Sequence, residues 1–279
     1  MRAEGVANRL DGRTAAVLGA SQRGGSGWVV AERLAAEGAT VFVAARRLEK
    51  AQELADEIGG IAVRCDASVQ SDVEEFVAAA AARTGTIDIA VAAVGVGTFG
   101  SIDSTDAAGL NDALAVNFIG PFQFVRFAAR HMGDGGSITL FSTVTSTDVL
   151  PGSVAYSCAK GALNTFVRYA AVEYAPSGIR VNALKAGMLE GPQARRWRRA
   201  DMFDRLLKEI PLGRPVEPDE LAKMIVWLAT DAVSITGSVM SVDGGSHLRR
   251  QLFPEEMAAD GLESMGRRRQ PEPGAPKRE

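Results

Sequence analysis

Tyr156 and Lys160 stand four residues apart in the stretch Tyr156-Ser157-Cys158-Ala159-Lys160. On a helix that spacing puts both on one face, one turn apart. A free phenol titrates near about pH 10 and a free ammonium near about 10.4. A fixed ammonium beside a phenol favours the phenolate and lowers its pKa. The pair therefore predicts a group that gives or takes a proton near neutral pH. The same spacing also arises on ordinary helices with a packed tyrosine and a solvated lysine, so the surrounding chain has to supply the context.

That context begins near the start of the chain. Thr14 to Leu18 is a short apolar run that meets a glycine-rich stretch from Gly19 to Gly27, holding Ser21, Arg23 and Gly25. Helical periodicity follows from Trp28 to Glu37, then a second apolar run from Thr40 to Ala45. Strand, glycine loop, helix and strand make a βαβ unit. Glycines there let the backbone approach a pyrophosphate, and a helix N-terminus points free N–H groups at it. Arg46 and Arg47 follow the second strand directly. An acidic residue at that place binds a free ribose 2′-hydroxyl, whereas arginine suits a 2′-phosphate. With Ala45 at the strand end and Arg23 able to join the two arginines, the cofactor read from these residues is NADP(H), with NAD(H) less favoured.

The elements needed to position the pair alternate along the chain. Helices are expected at 48–58, 69–83, 106–132, 154–174 and 217–230, and strands at 61–65, 87–94, 137–141, 179–184 and 239–242. Such alternation predicts an α/β fold with a parallel sheet covered on both faces. Ligand sites then lie at the carboxyl ends of the strands. No linker divides the chain before residue 245, so residues 1–250 read as one nucleotide-binding domain, with a substrate-covering segment at 188–212. Residues 251–279 carry Arg267-Arg268-Arg269 and read as a mobile extension with one short helix near Pro254 to Ala259.

Composition narrows the classes. Net charge is −3, which argues against a general nucleic-acid surface. Cys65 and Cys158 are the only cysteines and His131 and His247 the only histidines, so a disulfide framework, a metal site and a Ser-His-Asp hydrolase all lack support. The opening residues are mixed and polar, unlike a signal peptide, and no apolar run reaches about 18 residues. A soluble cytoplasmic protein without a membrane span is the expectation.

Taken together, the glycine loop, Asp66 after the third strand, Asn117 in the helix at 106–132, Tyr156 with Lys160, Ile179-Arg180-Val181-Asn182, and Val242-Asp243-Gly244-Gly245 resemble the short-chain dehydrogenase/reductase family. The resemblance covers roughly Asp11 to Gly245. It implies a Rossmann-like three-layer sandwich with a doubly wound seven-stranded parallel sheet, a nicotinamide cofactor, and assembly as a homotetramer or homodimer. Tyr156 would be the general acid in reduction and the base in oxidation. Lys160 would hold the nicotinamide ribose and lower the tyrosine pKa. Asn117 would interrupt its helix and anchor a water that passes protons to Lys160. Asp66 would bind the adenine amine, and Gly19, Gly25 and Gly27 would bring amides to the pyrophosphate. Ser21, Ala67, Ala93, Gly95, Gly187 and Leu189 would complete the cofactor contacts.

Four features depart from the family pattern. The glycine spacing 19, 25, 27 is longer than usual and is similar to the enoyl-reductase branch. That branch separates its tyrosine and lysine by seven positions, where this chain has Leu163, so the pair favours carbonyl chemistry. Ala92-Ala93-Val94-Gly95 replaces Asn-Asn-Ala-Gly and leaves the central strands to apolar packing. The carbonyl-polarising serine, thirteen positions before the tyrosine, becomes Thr143. Ser142 is the fallback, and alternation along a strand keeps both from serving at once. Ala186-Gly187 replaces Pro-Gly and Gly191 replaces a threonine, implying looser cofactor contacts.

The reading is an oxidoreductase that interconverts a ketone and a secondary alcohol. Enoyl reduction or dehydration on the same scaffold, and a cofactor-binding protein with weak catalysis, are the alternatives. Val96, Phe99, Val149, Leu150, Met188 and Leu189 are expected to form an apolar pocket wall. Arg195-Arg196-Trp197-Arg198-Arg199 reads either as an anion-binding cluster or as a solvated helix face with Trp197 packed inward.

Overall fold

The computed structural model describes residues 8–133, 135–199 and 203–250. The expected helix near 254–259 and the arginine run at 267–269 lie outside the described residues. Seven parallel strands form one sheet in the order β3-β2-β1-β4-β5-β6-β7. They are β1 (Thr14–Leu18), β2 (Thr40–Ala45), β3 (Ile61–Arg64), β4 (Ile89–Ala92), β5 (Gly136–Thr143), β6 (Ile179–Ala186) and β7 (Val239–Val242). The order runs outward from β1 in one direction and from β4 in the other, so the crevice of the Rossmann-like fold opens between β1 and β4.

Alternation along β1 shows why both faces are covered. Ala16 and Leu18 pack against Val73, Phe76 and Val77 of α3 (Gln70–Thr84), Phe124 of α5 (Gly120–Ala129) and Leu163 of α6 (Val154–Tyr174). Ala15 and Val17 face the other layer, with Trp28 and Leu34 of α1 (Ser26–Ala36), Leu54 of α2 (Leu48–Ile58) and Leu221 and Ile225 of α9 (Pro218–Thr230). A strand buried on both faces has no polar side, which is why these runs are continuously apolar. Ala92 sits in the core, so apolar packing does replace the missing asparagine there.

The sequence suggests one helix from Asp106 to Met132. The structure instead has α4 (Ala107–Leu114), a π-helical turn at Ala115–Ile119, and then α5. Asn117 lies in that turn and is fully buried. Its Nδ2 donates to the Ala113 carbonyl at 2.9 Å, competing with the main chain for that acceptor. Helical order also extends into the segment at 188–212, as α7 (Pro192–Arg199) and α8 (Phe203–Lys208). For α7 the sequence offers a helix face at 195–199 as one of two readings, whereas α8, six residues long, is too short to carry a periodic signal.

Just past the π turn, Gly120 passes so close to β3's following loop that an added Cβ would be driven into the Ala67 carbonyl oxygen. Gly120→Ala is expected to cost about 1–3 kcal/mol of stability, measured as a lowered midpoint in urea denaturation.

Candidate active site

A cleft of about 520 Å³ opens at the carboxyl ends of the strands. Its walls include Gly19, Ser21, Gly25 and Gly27, Arg46, Asp66 and Ala67, Ala93 and Gly95, Ser142 and Thr143, Tyr156 and Lys160, and Gly187 and Leu189. Fifteen expected site residues, scattered over some 170 positions of sequence, thus share one cavity. Asn117, Arg23 and Arg47 are not part of its wall.

At the closed end, polar atoms converge on Gly95. A Cβ built there would lie 3.8 Å from Asn117 Oδ1 and 4.0 Å from both Lys160 Nζ and Tyr156 Oη. Lys160 is 2 % exposed, and its Nζ donates to the main-chain carbonyls of Val94 at 3.1 Å and Phe141 at 2.8 Å. Burial pulls its pKa down to about 7. Tyr156 is pushed up to about 12 by burial, opposed by a hydrogen bond with the Thr143 hydroxyl. This corrects the expectation that the lysine lowers the phenol pKa. The ammonium is spent on two carbonyls, and desolvation penalises each charged form. The protein alone therefore holds the phenol protonated and ready to donate.

Thr143, not Ser142, faces the tyrosine. The Ser142 hydroxyl turns the other way and donates to Asn164 Oδ1 at 2.6 Å. Asn164 Nδ2 donates to Ser146 Oγ at 2.8 Å, and Ser146 Oγ donates to the Thr143 carbonyl at 2.5 Å. Asn164 is a residue that the sequence reading missed. It lies one further turn along α6 on the face shared by Tyr156 and Lys160, and a polar residue repeating at that interval was the available signal. The effect is to brace the turn after β5 that holds Thr143 in place. Asn117 braces the opposite wall, accepting from Val96 N at 3.0 Å and donating to Val96 O at 3.1 Å.

At the open end the glycines also do a packing job that the spacing did not reveal. Cβ atoms at Gly19 and Gly25 would lie 2.8 Å from Val94 N and 2.9 Å from Gln22 O, and one at Gly27 would be driven into Gly19 O. These glycines let the protein fold tightly on itself, and Gly19 needs a φ of +101° to do so. The feature suited to a phosphate is the start of α1. Its first turn has no side-chain cap, and Gly25, Ser26 and Gly27 line the cleft. That donor set fits a dinucleotide pyrophosphate. Asp66 also lines the wall, fixed by Ser68 N and Oγ at 3.0 and 2.7 Å. Gly191, at φ +102°, packs against Gly24 O, so the segment over the cleft touches the glycine loop through backbone.

The three candidate cations separate. Arg46 is exposed, lines the cleft, and forms no ion pair with a described residue. Arg47 is exposed at the start of α2. Arg23 does not join them: it pairs with Glu53 and Glu57 of α2 and stacks over Trp28 at 4.8 Å. Two carboxylates on the neighbouring helix already hold its charge. In the covering segment, Arg198 is likewise occupied, making two 2.7 Å bonds to Glu190 and stacking on Phe203. The side chains of Arg196, Trp197 and Arg199 lie outside the described residues. Val149 is 82 % exposed and leaves the expected apolar wall, while Val116 and Leu206 join it.

Among the described residues no cluster of His, Cys, Asp and Glu is placed to hold a metal ion, and no helix is long and apolar enough to cross a membrane.

A family model described as enoyl-(acyl carrier protein) reductase matches residues 19–247. An uncharacterized oxidoreductase of Methylorubrum extorquens is 34% identical over 247 residues, covering 85% of this chain and 99% of that one. A galactitol 2-dehydrogenase (L-tagatose-forming) of Cereibacter sphaeroides is 34% identical over 248 residues, covering 85% of this chain and 96% of that one. Among solved structures, a dehydrogenase/reductase of Sinorhizobium meliloti superposes with a TM-score of 0.81 at 30% identity, covering 88% of this chain and 99% of that one. The chain belongs to the short-chain dehydrogenase/reductase family of oxidoreductases, whose members use NAD(P).

The buried pair has a measurable signature. Lys160 sits at about 7 in the fold and near about 10.4 in an unfolded chain. Between those values the unfolded chain carries the extra proton, so stability rises with pH. Tyr156, at about 12 in the fold against about 10 unfolded, reverses the slope above pH 10. Urea denaturation of the cofactor-free protein is expected to show stability climbing from about pH 7 to about 10, by up to about 1.4 kcal/mol per unit. Lys160→Met should flatten that climb.

Proposed function

We propose that this protein is an NADP(H)-dependent oxidoreductase that interconverts a ketone and a secondary alcohol. The observation that carries the proposal is the convergence of Tyr156 Oη, Lys160 Nζ and Asn117 Oδ1 at Gly95, with Thr143 hydrogen-bonded to the tyrosine. A bound nicotinamide dinucleotide supplies or accepts the hydride. Tyr156 gives its proton to the carbonyl oxygen in reduction and takes it back in oxidation, and Thr143 donates a second hydrogen bond to that oxygen. Lys160, poised near neutral pH, exchanges protons with the tyrosine side of the cleft. Asn117 Oδ1 accepts one bond, from Val96 N, and retains a lone pair for a water on the path to Lys160.

The choice of NADP(H) rests on Arg46, an exposed cation without a carboxylate partner among the described residues, beside Ala45 where an acid would select NAD(H). A relative named for oxidation of a secondary alcohol, the galactitol 2-dehydrogenase, supports the carbonyl–alcohol reading. The description of the matching family model favours enoyl reduction instead. Against it, Leu163, at the place of that branch's lysine, is a fully buried core residue, while Lys160 lines the cleft. The same reading takes residues 1–250 as one domain, acting in the cytoplasm as a homotetramer or homodimer.

Two experiments test the reading. With NADPH and a panel of ketones and enones, followed by absorbance of the reduced cofactor, ketones should be consumed and enones spared. Tyr156→Phe should lower ketone turnover by at least about a hundredfold with NADPH affinity nearly intact; unchanged turnover contradicts the assigned role. Arg46→Ala should weaken NADPH binding by about tenfold and leave NADH nearly unaffected, as read by calorimetry.

A further inference from the structure

We propose that Thr145 selects substrates with an oxygen on the carbon next to the reacting carbonyl: an α-hydroxy ketone in reduction, a vicinal diol in oxidation, with an apolar remainder. This rests on the carbonyl–alcohol reading of the site and deepens it.

Thr143 ends β5, and Thr145 follows in the 3₁₀ turn Val144–Ser146. Both line the cleft, and their Oγ1 atoms are 3.4 Å apart. Two hydroxyls this close can each reach one of two oxygens on neighbouring carbons. The Thr143 hydroxyl is committed to the reacting end by its bond with Tyr156. The Thr145 hydroxyl has the Thr143 hydroxyl as its one partner among the described residues. A hydroxyl donates once and accepts twice, so Thr145 has capacity for a second substrate oxygen.

The turn that carries it is preorganised. Ser142, Asn164 and Ser146 form a continuous hydrogen-bonded chain that ends on the Thr143 carbonyl. A hydroxyl held by such a brace discriminates between ligands instead of adjusting to them. The apolar part of the wall is Val96, Phe99, Val116, Leu150, Met188 and Leu206, while the polar Ser153 and Glu190 are already bonded, to Leu150 O and Ser157 and to Arg198. A chain bearing a hydroxyl on every carbon would bury several of them unpaired against that wall. One extra oxygen is provided for, and the remainder is apolar.

In the reduction, the carbonyl carbon receives the hydride of the reduced nicotinamide dinucleotide and its oxygen receives the Tyr156 proton. The neighbouring hydroxyl is neither oxidised nor reduced. It stays bound to Thr145, and the product is a vicinal diol.

The test compares 2-hydroxyacetophenone with acetophenone, each with NADPH, for the wild-type protein, Thr145→Val and Thr145→Ser. The wild-type protein should favour the hydroxylated ketone by about tenfold in kcat/KM, as for a site left with an unpaired polar group by the deoxy analogue. Thr145→Val, which keeps the shape and removes the hydroxyl, should bring the ratio near one, and Thr145→Ser should restore most of it. A parallel calorimetric titration of 1-phenyl-1,2-ethanediol against 1-phenylethanol should show the same preference and the same loss. A ratio near one in the wild-type protein, or one unmoved by Thr145→Val, overturns the inference while the carbonyl–alcohol reading stands. If no ketone of any kind is reduced, both fall.

Discussion

The site depends on one buried cation. Lys160 is carried on α6 and reaches into the sheet, where its ammonium binds the carbonyl of Val94 beyond β4 and that of Phe141 in β5. Those carbonyls lie at the ends of the adjacent central strands β4 and β5. A single side chain therefore pins a helix to two strand ends, and Tyr156, one turn earlier, inherits its position from that anchor. The cost is desolvation, visible in a lysine pulled down to about 7. A group so placed is stable only because both acceptors are fixed main-chain atoms.

Around this anchor the protein builds two braces from polar side chains. Asn117 interrupts its helix to clasp Val96 on one wall. Asn164 binds Ser142 and Ser146 on the other, holding the turn from which Thr143 and Thr145 project. Buried polar networks of this kind are stabilising only when every member is satisfied, and here the members pair with one another and with main chain. The result is a rigid closed end, in contrast to the open end, where a helix N-terminus and exposed Arg46 await an anionic ligand.

Charge distribution explains which arginines are available. Arg23 and Arg198 both stand near the cleft in sequence-based expectation, yet each is neutralised by nearby carboxylates and laid over an aromatic ring. Partnered cations of this sort act as struts, tying the glycine loop to α2 and α7 to Glu190. Arg46 lacks such a partner among the described residues and keeps its charge for the cleft.

The sequence by itself determined the sheet and most of the site. Runs such as Thr14–Leu18 and Val154–Tyr174 are strongly periodic or strongly apolar, so their type and extent follow from local rules, and the family motifs fix where Tyr156, Lys160, Asn117 and Asp66 belong. Tertiary structure decided what spacing cannot express. Whether Thr143 or Ser142 meets the tyrosine depends on strand twist and on Asn164, a residue 22 positions from Ser142. Whether Lys160 depresses the phenol pKa depends on two carbonyls brought in from elsewhere in the chain. Which arginine stays free depends on carboxylates of another helix. Hydrogen bonds and burial act through space, and a linear pattern carries no measure of either.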